Sequence, residues 1–304
     1  MRRMPIREFF HLIHVVDDIE KADAWYDRLF APHWFMKREW GETEKRFASL
    51  GMIGDFMLET IQASAEPADH RMPLTRFHAR FHQHWHSLAW YVDDDDMSTL
   101  FRRFRKHGVR VAKPGGGFFP PGDDVEVGGT MFTHPRDTAG QLEFVKFSIF
   151  GRLDARAAPD WSPARWRDEH PLRVLRASHM TQVVRDLDKV RRQYEELLDA
   201  PTIHESATDL ARSAFLFVGT ESVVELAEPT ERDSLLRRDL HASGEITHSV
   251  TFTVRDLEAA ERHVAGQGVR ILGRSTSSFT LHPDDALGAV ISFSESSVPG
   301  DPRL

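Results

Sequence analysis

A strand signature that occurs four times constrains this chain more than any other feature, because a repeated module must build a repeated architecture. Each copy opens with a histidine on an apolar strand and ends on an acidic residue able to cap a helix. The copies are His11-Leu-Ile-His-Val-Val-Asp-Asp18, His86-Ser-Leu-Ala-Trp-Tyr-Val-Asp-Asp94, His179-Met-Thr-Gln-Val-Val-Arg-Asp186 and His248-Ser-Val-Thr-Phe-Thr-Val-Arg-Asp256. The first matches the third best, and the second the fourth.

Apolar residues at helical spacing follow each acid: Ile19, Ala22, Tyr26 and Leu29; Leu100, Phe101 and Phe104; Leu187, Val190, Tyr194 and Leu197; Leu257, Ala260 and Val264. Gly108 and Gly268 close two of these helices. Short strands complete each unit, and they repeat as well. Phe47 to Glu59 parallels Phe215 to Glu225, and His134 to Phe144 parallels His282 to Phe293, with Ser292 where Glu143 stands.

The module is therefore βαβββ, and 304 residues hold four of about 76 each. The expected class is α+β: four βαβββ modules paired into two cupped mixed sheets with helices outside. An N-terminal domain is expected over residues 1–151, with modules at about 7–64 and 80–150. A C-terminal domain is expected over 172–304, with modules at about 172–229 and 244–296. The pattern breaks from 152 to 171, around Pro159, Trp161, Pro163 and Trp166, which reads as the linker. Ala63 to Leu74 joins the first two modules, and Ser297 to Leu304 reads as a loose tail. The Gly- and Pro-rich stretch Lys113 to Gly129 has the length of a loop that covers a site.

A formal net charge of -8 and a pI near 6.1 argue against nucleic acid or an anionic membrane as partner, since both require a basic field. No apolar run approaches membrane-spanning length, and a cytoplasmic protein is expected. Cysteine is absent, so a metal would have to sit on His, Asp or Glu.

Glu143 is the most telling residue of that kind, because it interrupts the apolar run Leu142, Phe144 and Val145. A carboxylate buried there needs a cation or several donors in place of water. Positions that recur in sequence recur around a cup, so His11, Glu59, His86 and Glu143 form one candidate set. Two imidazoles and two carboxylates suit a six-coordinate divalent ion, Fe, Mn, Co, Ni or Zn, with two positions left for substrate or water.

Other histidines read differently. His14 faces the helix layer, His84 is a rival ligand, His78 and His82 read as surface or loop residues, and His134 and His282 as turn formers. Trp25, Trp85, Trp90, Phe118 and Phe119 are either core or the lining of an aromatic pocket.

The repeat resembles the vicinal oxygen chelate superfamily, which includes glyoxalase I, methylmalonyl-CoA epimerase, extradiol dioxygenases and bleomycin-resistance proteins. The resemblance covers nearly the whole chain. It implies that a module's first strand supplies His and its last strand Glu, matching His11, Glu59, His86 and Glu143. The stretch Thr133-His-Pro-Arg-Asp-Thr-Ala-Gly-Gln-Leu-Glu143 is most similar to the last strand of methylmalonyl-CoA epimerases.

In the second half His179, Glu225 and His248 match, as a second or cross-paired site, but Ser292 replaces the last carboxylate, and Glu295 lies on the wrong strand face. Four-module extradiol enzymes keep their iron in the C-terminal half, so this departure counts against catechol chemistry there. In some relatives the first module pairs with the fourth and the second with the third, which would make the complete set His86, Glu143, His179 and Glu225.

The activity implied is that of a metal-dependent lyase or isomerase acting on a small molecule with neighbouring oxygens. Glu143 and Glu59 would carry the proton, with Glu42 and Glu44 as weaker candidates. The alternatives are an Fe(II) ring-cleaving dioxygenase and a non-catalytic ligand-binding resistance protein. A homodimer is compatible with the resemblance.

Overall fold

The computed structural model describes residues 5–63, 71–122, 125–151 and 154–304. The first half contributes β1 (Ile6–Val15), β2 (His33–Gly41), β3 (Arg46–Ile53), β4 (Phe56–Ala63), β5 (His84–Val92), β6 (Val111–Ala112), β7 (Thr130–Thr133) and β8 (Gln141–Lys146). The second contributes β9 (Val174–Val183), β10 (Thr202–Ala207), β11 (Ala211–Val218), β12 (Ser222–Pro229), β13 (Ile246–Val254), β14 (Ile271–Arg274), β15 (Ser278–Leu281) and β16 (Val290–Ser294). They form two eight-stranded sheets of matching order, β2-β3-β4-β1-β5-β8-β7-β6 and β10-β11-β12-β9-β13-β16-β15-β14.

At the centre of each sheet the opening strands of two modules run antiparallel, β1 against β5 and β9 against β13. Each of the four opening strands also lies parallel to the last strand of its own module. The architecture is α+β as expected, and the strand order joins the first module to the second and the third to the fourth.

The helices are α1 (Ile19–Phe30), α2 (Pro73–Phe81), α3 (Met97–Lys106), α4 (Phe147–Phe150), α5 (Leu187–Leu198), α6 (Leu235–Ser243) and α7 (Leu257–Gly266). Asp18, Asp186 and Asp256 cap α1, α5 and α7 by accepting from backbone N–H groups of the first turn. The second module departs from this pattern. Its acids Asp94–Asp96 form a 3-10 turn without a side-chain cap, and Asp94 instead accepts from the Ser148 N–H at 3.1 Å. No helix among the described residues is long and apolar enough to cross a membrane.

The two halves share one core. Phe252 on β13 packs against Phe30 and Phe56 at ring separations of 5.5 and 5.3 Å. The stretch expected as a plain linker joins this core: Trp166 is buried and its Nε1 donates to the Phe30 carbonyl at 2.9 Å. The tail is also fixed, with Asp301 buried and Arg303 donating to the carbonyls of Ala177, Ser178 and Glu221.

Helices α2 and α6 have no counterpart in the sequence reading. Each lies between the two modules of its half, and both pack against an apolar cluster of Val183, Leu240 and Ile246 through Phe77, Phe81 and Leu236. In hindsight Pro73 at the helix start, with Leu74, Phe77 and Phe81 at helical spacing, and Ser234 as N-cap, are their local signals.

Candidate active site

The four central strands of the first sheet, β4-β1-β5-β8, carry Glu59, His11, His86 and Glu143, one residue each. All four side chains are buried. Glu143 gains its place from the turn before β8, which Thr133 holds shut: its hydroxyl meets Thr138 Oγ1 at 2.7 Å and accepts from Leu142 N–H at 3.0 Å. In the same turn Gly140 adopts φ +125°, and a Cβ there would stand 2.5 Å from the Gln182 side chain.

His11 Nε2 lies 3.2 Å from Glu59 Oε2 and 3.3 Å from Glu143 Oε2. It donates to Glu143, whereas Glu59 Oε2 is out of line for a hydrogen bond and has no hydrogen-bonded partner. Burial opposes charge on the His11 ring, but the Glu59 and Glu143 carboxylates outweigh it and raise its pKa. Burial raises the pKa of Glu143 against the opposing pull of His11. His86 behaves oppositely: burial first, then His84, Arg46 and His11, lower it to about 3, so its imidazole is neutral. Its Nδ1 lies 3.0 Å from Ser87 Oγ, and the Phe77 ring stands edge-on at 4.4 Å.

Sequence reasoning missed Arg46. It opens β3, is largely buried, and bonds Glu59 Oε1 at 3.0 Å and Glu44 Oε2 at 2.7 Å. Burial opposes its charge, yet Glu59 and Glu44 hold the guanidinium firmly protonated. Its cue, a lone arginine beginning an apolar strand, is one that most surface arginines share.

Of these groups Glu44, Arg46, Glu59, His86 and Glu143 line a cavity of about 510 Å³, with Phe77 and other apolar side chains, whereas His11 is not part of its wall and reaches it through Glu59 and Glu143. Lys113, Gly115, Gly116, Gly117 and Phe118 of the long loop form part of its wall, as its length suggested. Trp25, Trp85, Trp90 and Phe119 lie in the core, so only Phe118 of the proposed aromatic lining reaches this cavity.

Among the described residues no group of three or more His, Asp or Glu side chains stands in a ready metal-binding arrangement. The donor chemistry nevertheless suits a divalent cation. Glu59 Oε2 is buried without a hydrogen-bonded partner, His86 is neutral, and Glu44, Glu59 and Glu143 all act on the Arg46 guanidinium.

The rival residues have other roles. His84 donates from Nδ1 to the Trp85 carbonyl and pairs through Nε2 with Asp239 at 3.2 Å. His14 bonds Tyr26 of α1 at 2.9 Å and the Leu287 carbonyl at 3.0 Å, and His78 pairs with Asp17 at 2.6 Å on the surface. Glu42 is exposed and bound to Trp40 and Lys45, whereas Glu44 reaches the cavity. Glu295 accepts from the Leu257 N–H at the start of α7, away from the cup.

The second sheet repeats the layout incompletely. His179 Nε2 lies 3.5 Å from Glu225 Oε2, which is occupied by the Thr181 hydroxyl at 2.7 Å. His248 Nδ1 is bound to Asp239 at 2.7 Å, and Ser292 Oγ pairs with Thr280 at 2.8 Å. The residues of the cross-paired set are divided between the sheets, with β5 and β8 in the first and β9 and β12 in the second.

Fold and cavity define a duplicated cupped-sheet protein with a polar, small-molecule-sized site in its first half. Residues 9–198 match the glyoxalase-like domain family, so the chain belongs to that family, and residues 178–280 match the glyoxalase/bleomycin resistance protein/dioxygenase superfamily. No curated protein matches it.

Among solved structures, a variant of 4-hydroxymandelate synthase from Streptomyces coelicolor shares the fold, with a TM-score of 0.62 at 14% identity over 98% of this chain and 96% of its own. Methylmalonyl-CoA epimerase from Mycobacterium tuberculosis is 29% identical, with a TM-score of 0.38, over 41% of this chain and 90% of its own. A variant of the Streptomyces coelicolor epimerase, solved with 2-nitronate-propionyl-CoA, is 26% identical, with a TM-score of 0.38, over 41% of this chain and 99% of its own.

Proposed function

We propose that this chain is a metal-dependent lyase or isomerase that moves a proton next to a chelated pair of substrate oxygens. The observation that carries this reading is the meeting of His11 with Glu59 and Glu143 at 3.2 and 3.3 Å, beneath a cavity that His86 also lines. His11, Glu59, His86 and Glu143 would hold one divalent ion, which when bound supplies Lewis-acid polarisation of the substrate oxygens.

The chain's own residues handle the proton. Burial raises the Glu143 pKa, which makes its carboxylate a stronger base than an exposed one. Glu143 Oε2 takes a proton from the carbon beside the oxygen pair. Return of the proton from Glu143 to the neighbouring carbon, with the hydroxyl proton passing to the other oxygen, isomerises the substrate. Epimerisation needs a second acid, the role of Glu59, to deliver a proton to the opposite face while Glu143 keeps the one it took. Arg46 fixes Glu59 and keeps a positive charge beside the enediolate oxygens. Phe77 screens His86 from solvent, and Glu44 holds the far side of Arg46.

One observation favours a second reading. Arg46 pairs with Glu59 Oε1 at 3.0 Å, and with Glu59 kept as its counter-ion the remaining set is His11, His86 and Glu143, the two-His, one-carboxylate set of Fe(II) oxygenases. A single experiment separates the two. Purified protein is incubated with α-hydroxy ketones, malonyl-type thioesters and catechols in D₂O, with and without O₂. Deuterium entering a C–H position without O₂ consumption supports proton transfer. O₂ uptake matched to ring opening replaces it with the oxygenase reading.

A further inference from the structure

The cavity does not end at the candidate site. A second space of about 400 Å³ continues from it toward the C-terminal half, and the two share Phe77, Arg80, Phe81, His86, Pro135 and Gln141 as common wall. The charge along this cleft is sorted. Its inner space holds Glu44, Glu59 and Glu143 with Arg46, Arg76 and Lys113, Arg80 borders both spaces, and the outer stretch adds Arg136 and Arg185 against Glu245 alone.

Glu245 is occupied by the backbone N–H of Arg185 at 2.9 Å. The three outer arginines have no carboxylate within 4.0 Å among the described residues. Arg80 instead lies over the Phe81 ring at 4.8 Å, and Arg185 reaches only the Leu240 carbonyl at 3.5 Å. At the rim of the inner cavity Arg76 donates to the Arg71 carbonyl and Lys113 lies near the Phe119 ring.

In a chain of net charge -8 this is a local concentration of cations, not the general character of the surface. Guanidinium groups arranged around a concave, partly aromatic passage attract and orient a multiply charged anion. Phe77 and Phe81, one helical turn apart on α2, supply the apolar stretch between the two ends.

We propose that the substrate is an elongated anion. Resting on the function proposed above, its oxygen pair lies at the His11, Glu59, His86 and Glu143 end. An apolar middle crosses Phe77 and Phe81, and a tail of two or more negative charges, phosphate or carboxylate, lies against Arg80, Arg136 and Arg185.

The test uses purified full-length protein and calorimetric titration with phenyl phosphate, phthalate and uncharged phenol. It compares wild type with the triple variant Arg80→Glu, Arg136→Glu, Arg185→Glu, whose changed side chains are exposed. Wild type is expected to bind at least one of the two anions, weakening with added salt, and to ignore phenol. The triple variant should bind that anion roughly tenfold or more weakly with an unchanged circular dichroism spectrum. Preference for phenyl phosphate or for phthalate identifies the tail as phosphate or carboxylate. Binding of neither anion by wild type, or equal affinity in wild type and variant, overturns the proposal. Metal content read on the same samples keeps the two readings apart. Metal retained without anion binding removes only the tail, and charge-dependent anion binding without metal removes only the metal site.

Discussion

His84, from the first sheet, and His248, from the second, share a single carboxylate. Asp239 Oδ1 lies 3.2 Å from His84 Nε2, and its Oδ2 lies 2.7 Å from His248 Nδ1. Burial works against the Asp239 charge, but hydrogen bonds from His248 and His84 hold its pKa well below the usual carboxylate range. The His84 pKa is raised: burial opposes it, and the bond and charge of Asp239 prevail. One residue of α6 thus ties the two halves together.

The signs of these shifts fix a pH window. The Asp239 contribution is complete above the ordinary carboxylate pKa of about 4 and is lost as pH falls through the depressed folded value. The His84 contribution is complete below about 6.5 and is lost as pH rises through the raised folded value. Asp239→Asn should therefore cost most between these limits, on the order of 1–3 kcal/mol. Urea unfolding of wild type and variant from pH 3 to 9 measures it, and a constant difference across that range would count against this pairing.

Arg46 is the fixed cation among Glu44, Glu59 and Glu143. Arg46→Gln should leave buried carboxylates uncompensated and destabilise metal-free protein by about 3 kcal/mol. Added divalent metal should recover more stability in the variant than in wild type. Thermal unfolding with and without Mn²⁺ reads both effects, and equal metal-induced shifts would contradict the shared electrostatic site.

Trp166 is buried and bonded to the Phe30 carbonyl. Trp166→Ala should cost about 3–5 kcal/mol, as for a core residue, whereas a residue in a plain linker would cost little. Denaturant titration distinguishes the two.

The repeat exposed most of this architecture because its signals are local. Histidine on an apolar strand, an acid after it and apolar residues at helical spacing recur within about twenty residues, and β1, β5, β9 and β13 form where those signals stand. The same repetition brought out His11, Glu59, His86 and Glu143. What stayed hidden depends on contacts distant in sequence. Arg46 matters through Glu59 on the neighbouring strand, and Asp239 through His84, 155 positions away. Helices α2 and α6 lie in the equivalent connections between modules, outside the fourfold signature, and their sequences share no motif that pairs them. Trp85 and Trp90 resemble pocket aromatics in sequence, and strict alternation would give Trp90 the face of His86, but an extra residue in β5 between Trp85 and Leu88 lets both tryptophans point into the core.

The central claim, a metal centre in the first half, is tested most directly by elemental analysis of the purified protein beside Glu143→Ala, His86→Ala and His179→Ala. The expected result is about one divalent metal per chain in wild type and in His179→Ala, and a marked loss in the other two variants. Unchanged metal content in both Glu143→Ala and His86→Ala would contradict the assignment.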